Sequence, residues 1–280
     1  MSCAARVWVA LMLGCLLGCL LGSLLGCSGA VAQSGSAEAV AECLRDNVPP
    51  AWGAQIEVRL RQPDGSQEVR RLAYATRERG REPLSDHWVR MRAPDALAGV
   101  VHLFRQTESS WSRWSYLPAL DRVSQVKGQG SSSAALEEIV GVRDLDALMR
   151  WSEGATLQLA APREEGGRQV RSINATRRVG TGASAGFERM RGLMDVERCV
   201  LLQGEWRDAE NRKTRSLSVV PASLRRYGDH WVPQRIDVQQ SDGVTAQVHL
   251  THVVIAPKVP RGLFDPDGFH QVMPAALGLE

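Results

Sequence analysis

The stretch "QIEVRLRQPDGSQEVRRLAYATR" (55–77) alternates apolar and polar residues on both sides of a Pro-Asp-Gly turn. Neighbouring side chains of an extended strand point to opposite faces, so this period of two around a tight turn is a hairpin with one buried face. The pattern recurs at 87–93, 99–107, 111–117 and 120–127, then at 155–161, 168–178, 187–191, 197–207, 213–220, 230–240 and 244–255. Breaks as short as "AENRK", "YGD" and "SDG" leave no room for crossover helices. The chain is therefore a meander of antiparallel strands and not a series of βαβ units. Two segments depart from the pattern. Residues 36–47, "SAEAVAECLRDN", read as a helix capped by Ser36, with Val40, Cys43 and Leu44 on one face, ended by Pro49-Pro50. Within 131–151, Leu136, Ile139, Val140, Leu145, Leu148 and Met149 fall at helical spacing around Gly141, which predicts two short helices.

The N-terminus carries a different message. One Arg, an uncharged apolar run from Val7 to about Gly26 and a series of small residues form the pattern of a bacterial-type export signal over residues 1–32. Two processing sites compete: "LLGC" (24–27) looks like a lipobox that would leave Cys27 lipidated, and "AVA" (30–32) fits ordinary cleavage before Gln33. An uncleaved spanning helix is the third reading, because about 20 apolar residues cross a bilayer. The first two place the rest of the chain in the periplasm, free or tethered through Cys27. There, Cys43 and Cys199 are the cysteines of the mature body, and in an oxidising compartment they read most simply as a disulfide. Two buried thiols are the rival reading.

The formal charge of +3 is small and the charged residues are interspersed, so no basic run suited to nucleic acid is present. The tetrapeptide Asp-His-Trp-Val occurs at 86–89 and again at 229–232. In a strand Asp86 and His87 point to opposite faces, as do Asp229 and His230, so neither pair forms half of a catalytic dyad. Both histidines are read as surface residues at strand starts. "HLTH" (249–252) sits in an alternating strand that splits its histidines across faces, so no metal site is expected. "RRVGTGASAG" (177–186) lacks the spacing, lysine and following helix of a phosphate loop. No GxSxG elbow occurs. No cofactor, metal or enzymatic chemistry is expected.

Many strands, few helices and no chemistry suit a binder. A curved antiparallel sheet closed by short helices encloses an apolar pocket between sheet and lid. Candidate lining residues are Val89, Met91, Val101, Leu103, Trp114 and Tyr116 of the middle strands and Leu136, Ile139 and Val140 of the lid.

Three segments carry a family likeness. "WSYLPALDRVSQVKGQGSS" (114–132), "ERCVLLQGEWRDAENRKTRSL" (197–217) and "HWVPQRIDVQQSDGVTAQVHLTHVVIAPKVPRGLFDPDGF" (230–269) resemble stretches of the outer-membrane lipoprotein-sorting (LolA-like) proteins. The resemblance implies one domain over 36–280, mainly β (α+β). Its fold would be an open half-barrel of about eleven antiparallel strands closed by short lid helices, holding acyl chains in its concave face. It implies a non-enzymatic carrier of lipoprotein acyl chains or other lipids, with an inner-membrane transporter of the resistance-nodulation-division type as a partner. Where the family shows a Gly-(Ser/Thr)-Asp-Phe-Ser stretch, this chain has "GVRDLDAL" (141–148), which bears on cargo or partner. The alternative is an envelope regulatory sensor of the same fold. A related sensor carries an extra C-terminal domain, and the tail after Phe264 is short for one.

Overall fold

The computed structural model describes residues 35–79, 84–107, 110–129, 151–152, 154–179 and 186–279. The chain divides into two units, Met1–Val40 and Ala41–Glu280. Helix α1 (Ala37–Asp46) crosses that boundary, and in the first unit the Ser36 hydroxyl caps it by accepting from the Ala39 N–H at 3.1 Å. The predicted lid residues Leu136, Ile139 and Val140, the predicted helices of 131–151 apart from Trp151, and Cys27 with the whole export signal lie outside the described residues.

Sixteen strands follow among the described residues. They are β1 (Ala51–Arg61), β2 (Gln67–Arg79), β3 (Leu84–Ala93), β4 (Val101–Gln106), β5 (Ser110–Leu117), β6 (Arg122–Gln129), β7 (Ala155–Leu159) and β8 (Arg163–Glu165). The second half adds β9 (Arg168–Val179), β10 (Gly186–Asp195), β11 (Val200–Arg207), β12 (Lys213–Val219), β13 (Leu224–Tyr227), β14 (His230–Pro233), β15 (Arg235–Gln240) and β16 (Thr245–Ile255). Fourteen of them form one curved antiparallel sheet in the order β6-β5-β4-β3-β2-β1-β16-β15-β12-β11-β10-β9-β7, with β8 paired to β9. The ends of this order, β6 and β7, are not paired to each other, so the sheet is an open half-barrel and not a closed barrel.

The count exceeds the expected eleven for local reasons. β8 is three residues long, too short to show a period. The run 230–240, expected as one strand, is two: Pro233 has no N–H to donate, and the Gln234 N–H turns to the Ser223 carbonyl at 3.2 Å. β14 thereby leaves the main sheet and pairs with β13, around a tight Gly228-Asp229 turn in which Gly228 takes φ +61°.

The register sorts the side chains onto two faces. On the inner face, Ile56 and Val58 of β1 align with Leu72 of β2, Val248 and Leu250 of β16, and through them Ile236 and Val238 of β15. The same face continues through Leu217, Trp206, Met190 and Ile173 to β7, and all of these side chains are buried. On the outer face, strands β2 to β5 present Ala73, Ala75, Trp88, Val101, Leu103, Trp114 and Tyr116, and the C-terminal tail covers them with Leu263, Phe264, Phe269, Val272, Leu277 and Leu279. The tail has no strand to ladder with, so side chains hold its backbone. Trp88 Nε1 donates to the Phe269 carbonyl (2.9 Å), Arg105 to that of Phe264 (2.7 Å), and Arg90 to that of His270 (3.1 Å). Tyr116 stacks on His270 with centroids 4.6 Å apart.

The first Asp-His-Trp-Val motif lies where these faces meet. Asp86 and Trp88 point outward, and His87 and Val89 inward. Asp86 is fully buried among Arg77 (3.1 Å), Arg79 (2.9 Å) and Arg105 (3.4 Å). His87, expected at the surface, is instead 2% exposed. It is tolerated in the core because both ring nitrogens are hydrogen-bonded, Nδ1 with the Tyr74 hydroxyl (2.7 Å) and Nε2 with the Ser85 hydroxyl (2.8 Å). The second copy behaves differently: Asp229 is exposed, and His230 is half-buried in the small hairpin.

Candidate functional site

The inner face is the apolar surface that a half-barrel can offer to a ligand, and the last turns of α1 sit over one end of it. Two independent devices hold them there. Cys43 is bonded to Cys199, their Cα atoms 5.6 Å apart, as the cysteine pattern predicts. One turn on, the Asn47 side chain brackets the backbone of Trp231, accepting from its N–H at 2.7 Å and donating to its carbonyl at 3.0 Å. His230 Nδ1 completes the joint by donating to the Asn47 carbonyl at 3.2 Å. Beneath it lies a cavity of about 30 Å³ lined by Leu44, Val48, Trp151, Leu201, Leu217, Val219 and Ile236 among others. That is room for about one water.

The turn that carries Cys199 is fixed in turn by a buried acid. Asp195 is fully buried and accepts from Arg168 (2.8 Å), from the Arg198 guanidinium (2.9 Å) and from the Arg198 N–H (3.0 Å). The Arg198 guanidinium lies 4.9 Å from the centre of the Trp231 ring. Charge, disulfide and indole thus form one continuous support behind the helix. At the other side of the inner face, the His102 ring accepts or donates one bond with the Ser115 hydroxyl (2.9 Å). Burial, helped by the nearby Arg113 charge, pushes its pKa down to about 3, so the ring is neutral at physiological pH.

The sequence-predicted lining residues do not form one group. Val89 and Met91 are buried on the inner face. Val101, Leu103, Trp114 and Tyr116 lie on the outer face beneath the C-terminal tail. Sequence reasoning missed the tail as the partner of these four, and missed Leu44, Trp151 and Trp231 at the helix-covered end. One signal for two buried faces was present: Trp88-Val89 and Leu103-Phe104 are adjacent large apolar pairs, which alternation on a single buried face does not produce.

A second concavity is of another character. On the outer face of the other half of the sheet, β8 borders a groove of about 1110 Å³ lined by Arg59, Arg61, Arg191, Gln203, Ser218, Asp237, Gln239 and Gln247 among others. It is large, but its lining mixes polar side chains with apolar ones and is open to solvent, so it would shield an acyl chain poorly. Among the described residues no group of three or more His, Cys, Asp or Glu side chains is placed to hold a metal, and no helix is long and apolar enough to cross a membrane.

Comparison with known proteins agrees with this architecture. A putative outer membrane lipoprotein-sorting protein domain from Vibrio parahaemolyticus superposes with a TM-score of 0.61 at 14% identity, covering 82% of this chain and 97% of its own. A DUF1329 family protein from Desulfovibrio piger gives a TM-score of 0.65 at 14% identity, with 81% and 96% covered. A LolA superfamily protein from Nitrosomonas europaea gives 0.56 at 13% identity, with 83% and 98% covered. At such identities the likeness is one of fold. No curated protein matches the chain. A family model described only as that of an uncharacterized protein matches residues 85–271, and the chain belongs to this family, on the half-barrel fold of the lipoprotein-sorting proteins.

Proposed function

We propose that the protein is a non-enzymatic envelope carrier that holds acyl chains of lipoproteins or other lipids against the inner face of its half-barrel. The observation that carries the reading is the largely apolar inner face of a sheet whose two edges stay apart. An acyl chain in water costs about 0.8 kcal/mol per CH₂, so a carrier must shield nearly all of it. A face of aliphatic and aromatic side chains does so without directional contacts, which suits lipids of varied length. The structural neighbour from Vibrio parahaemolyticus, described as a lipoprotein-sorting domain, supports the same reading.

The space beneath α1, about 30 Å³, is far smaller than an acyl chain. Val89 and Met91 are the lining residues we assign to the cargo path, with Leu44 and Trp151 at its covered end. Residues 1–32 direct export, and lipidation of Cys27 tethers the carrier to a membrane. An inner-membrane transporter of the resistance-nodulation-division type is the partner that would load or unload it.

Native mass spectrometry of the gently purified full-length chain tests the proposal, together with displacement of a fluorescent fatty acid. A co-purifying acyl lipid, or saturable fatty-acid binding that weakens when Val89 and Met91 are replaced by Asp, supports the carrier. An empty protein that also fails to bind the fatty acid sinks it.

A further inference from the structure

The inner face is fastened at one end and polar at the other. At the α1 end, the Cys43–Cys199 bridge and the Asn47 bracket on Trp231 hold the helix over Leu201 and Val219. Along β11 and β12 the face then runs to Trp206 and Arg215 at the opposite end, beside the turns 208–212 and 241–244. There the side chains change. The register sets Met190, Trp206, Arg215 and Gln240 in one row across β10, β11, β12 and β15. Glu188 stands two residues before Met190 on the same face, opposite Arg177 of β9. It pairs with Arg177 at 2.7 Å and with Arg215 at 3.2 Å. The Arg215 guanidinium lies 4.7 Å from the centre of the Trp206 ring.

Folding alone does not account for these side chains. Arg215 is 4% exposed and Gln240 8%, on a face whose adjacent positions along the same strands are Leu217 and Val238. A buried ion pair is seldom more stabilising than apolar side chains of the same volume, so stability gives no reason for one here. Gln240 is the sharper case, because its Oε1 is buried and accepts no hydrogen bond. An acceptor buried without a donor destabilises the empty protein and is satisfied only when a donor arrives. The fastened α1 end decides what arrives: acyl chains enter tail first from the polar end, which leaves the headgroup beside Gln240. The chains themselves carry no donor, so the donor belongs to the headgroup, close to the first carbons of the chain. Among the described residues two arginines face one carboxylate here, so an anionic group beside that donor is tolerated.

We propose that this end of the inner face is a headgroup subsite, in which Gln240 Oε1 accepts a hydrogen bond from an N–H beside the acyl chain, so that amide-linked acyl groups are preferred to ester-linked ones. The proposal rests on the carrier reading and adds to it the linkage that the carrier selects. It is tested on the full-length chain by displacement of a bound fluorescent fatty acid with N-palmitoylglycine and with the palmitoyl ester of glycolic acid. The two probes share the chain, the carbonyl and the carboxylate, and differ in an N–H against an oxygen. The ester is the more apolar, so partition alone favours it. The wild type should release the fluorophore at an about fivefold lower concentration of the amide, the worth of one ordinary hydrogen bond. Gln240→Leu should bind the two probes alike, with its affinity for the ester unchanged. Gln240→Glu keeps an acceptor and should keep the preference. Thermal melts of both variants establish that they are folded. A wild type that binds the fatty acid but takes both probes equally, or prefers the ester, overturns the subsite and leaves the carrier standing. A preference that survives in folded Gln240→Leu also overturns it. A wild type that binds neither the fatty acid nor the probes removes the carrier reading and the subsite together.

Discussion

Replacing Cys43 and Cys199 together by serine removes a bridge that closes a loop of 156 residues. In the chain-entropy treatment, closure of so long a loop in the unfolded state is worth about 5 kcal/mol at 25 °C. The Cα separation of 5.6 Å lies inside the usual range of 4.4–6.8 Å, so the bridge does not pull the native backbone out of place. The native state also keeps the other tie of α1, the Asn47 bracket on Trp231. The loss should therefore fall on the unfolded side: about 3–5 kcal/mol less stability, with a larger denaturant m-value because the freed chain exposes more surface. Urea unfolding followed by tryptophan fluorescence measures both. A loss below about 1 kcal/mol at unchanged m would refute the reasoning, and would mean that the unfolded chain is already compact around these segments.

Four further outcomes follow from other parts of the structure. Asp86→Asn strands Arg77, Arg79 and Arg105, each about a third exposed and able to turn toward water, so we expect a loss of about 2–3 kcal/mol. Asp229→Asn, in the other copy of the motif and 96% exposed, should change stability by less than about 0.5 kcal/mol, and urea unfolding of the two variants side by side checks both. Gly192→Ala places a Cβ 2.8 Å from the Gln203 carbonyl oxygen and 2.7 Å from a Leu201 methyl, which should cost about 1–3 kcal/mol by denaturant midpoint. His102 has its folded pKa pushed down from 6.5 to about 3, so the unfolded chain binds more protons between those values. Its stability contribution is complete above pH 6.5 and is lost as pH falls toward 3, by at most about 1.4 kcal/mol per pH unit. His102→Gln should flatten that part of the pH profile, and an unchanged slope would assign it to other groups.

The strands were legible because period-two alternation is a local property and this chain shows it for long stretches. The hairpin of β1 and β2, the cap by Ser36 and the pairing of Cys43 with Cys199 were all readable from neighbouring residues or from a count. What was not readable depends on which residues meet after the sheet curls. His87 resembles an exposed strand start until Tyr74 and Ser85 are brought to its ring by register and by the i, i+2 spacing. Val101, Leu103, Trp114 and Tyr116 look like ligand-facing residues, and nothing local in "PRGLFDPDGFHQ" announces that this irregular tail lies across them. The two copies of Asp-His-Trp-Val show the limit most directly. Four identical residues give a buried ion cluster in one place and a clasp on a helix end in the other.

The position of β16 has a consequence for how such a molecule comes into being. Strands β1 to β6 form one half-sheet and β7 to β12 with β15 another, and among the described residues the seam between them is β16, which pairs with β1 on one side and β15 on the other. Trp52 finds Ile255 only after some two hundred intervening residues have been made. Each half can zip locally as it emerges, but the two can join only when the last strand arrives, and contacts that distant in sequence are slow to form. Until then both halves present an open apolar flank to whatever is nearby. A chain built this way is at its most adhesive just before it is finished.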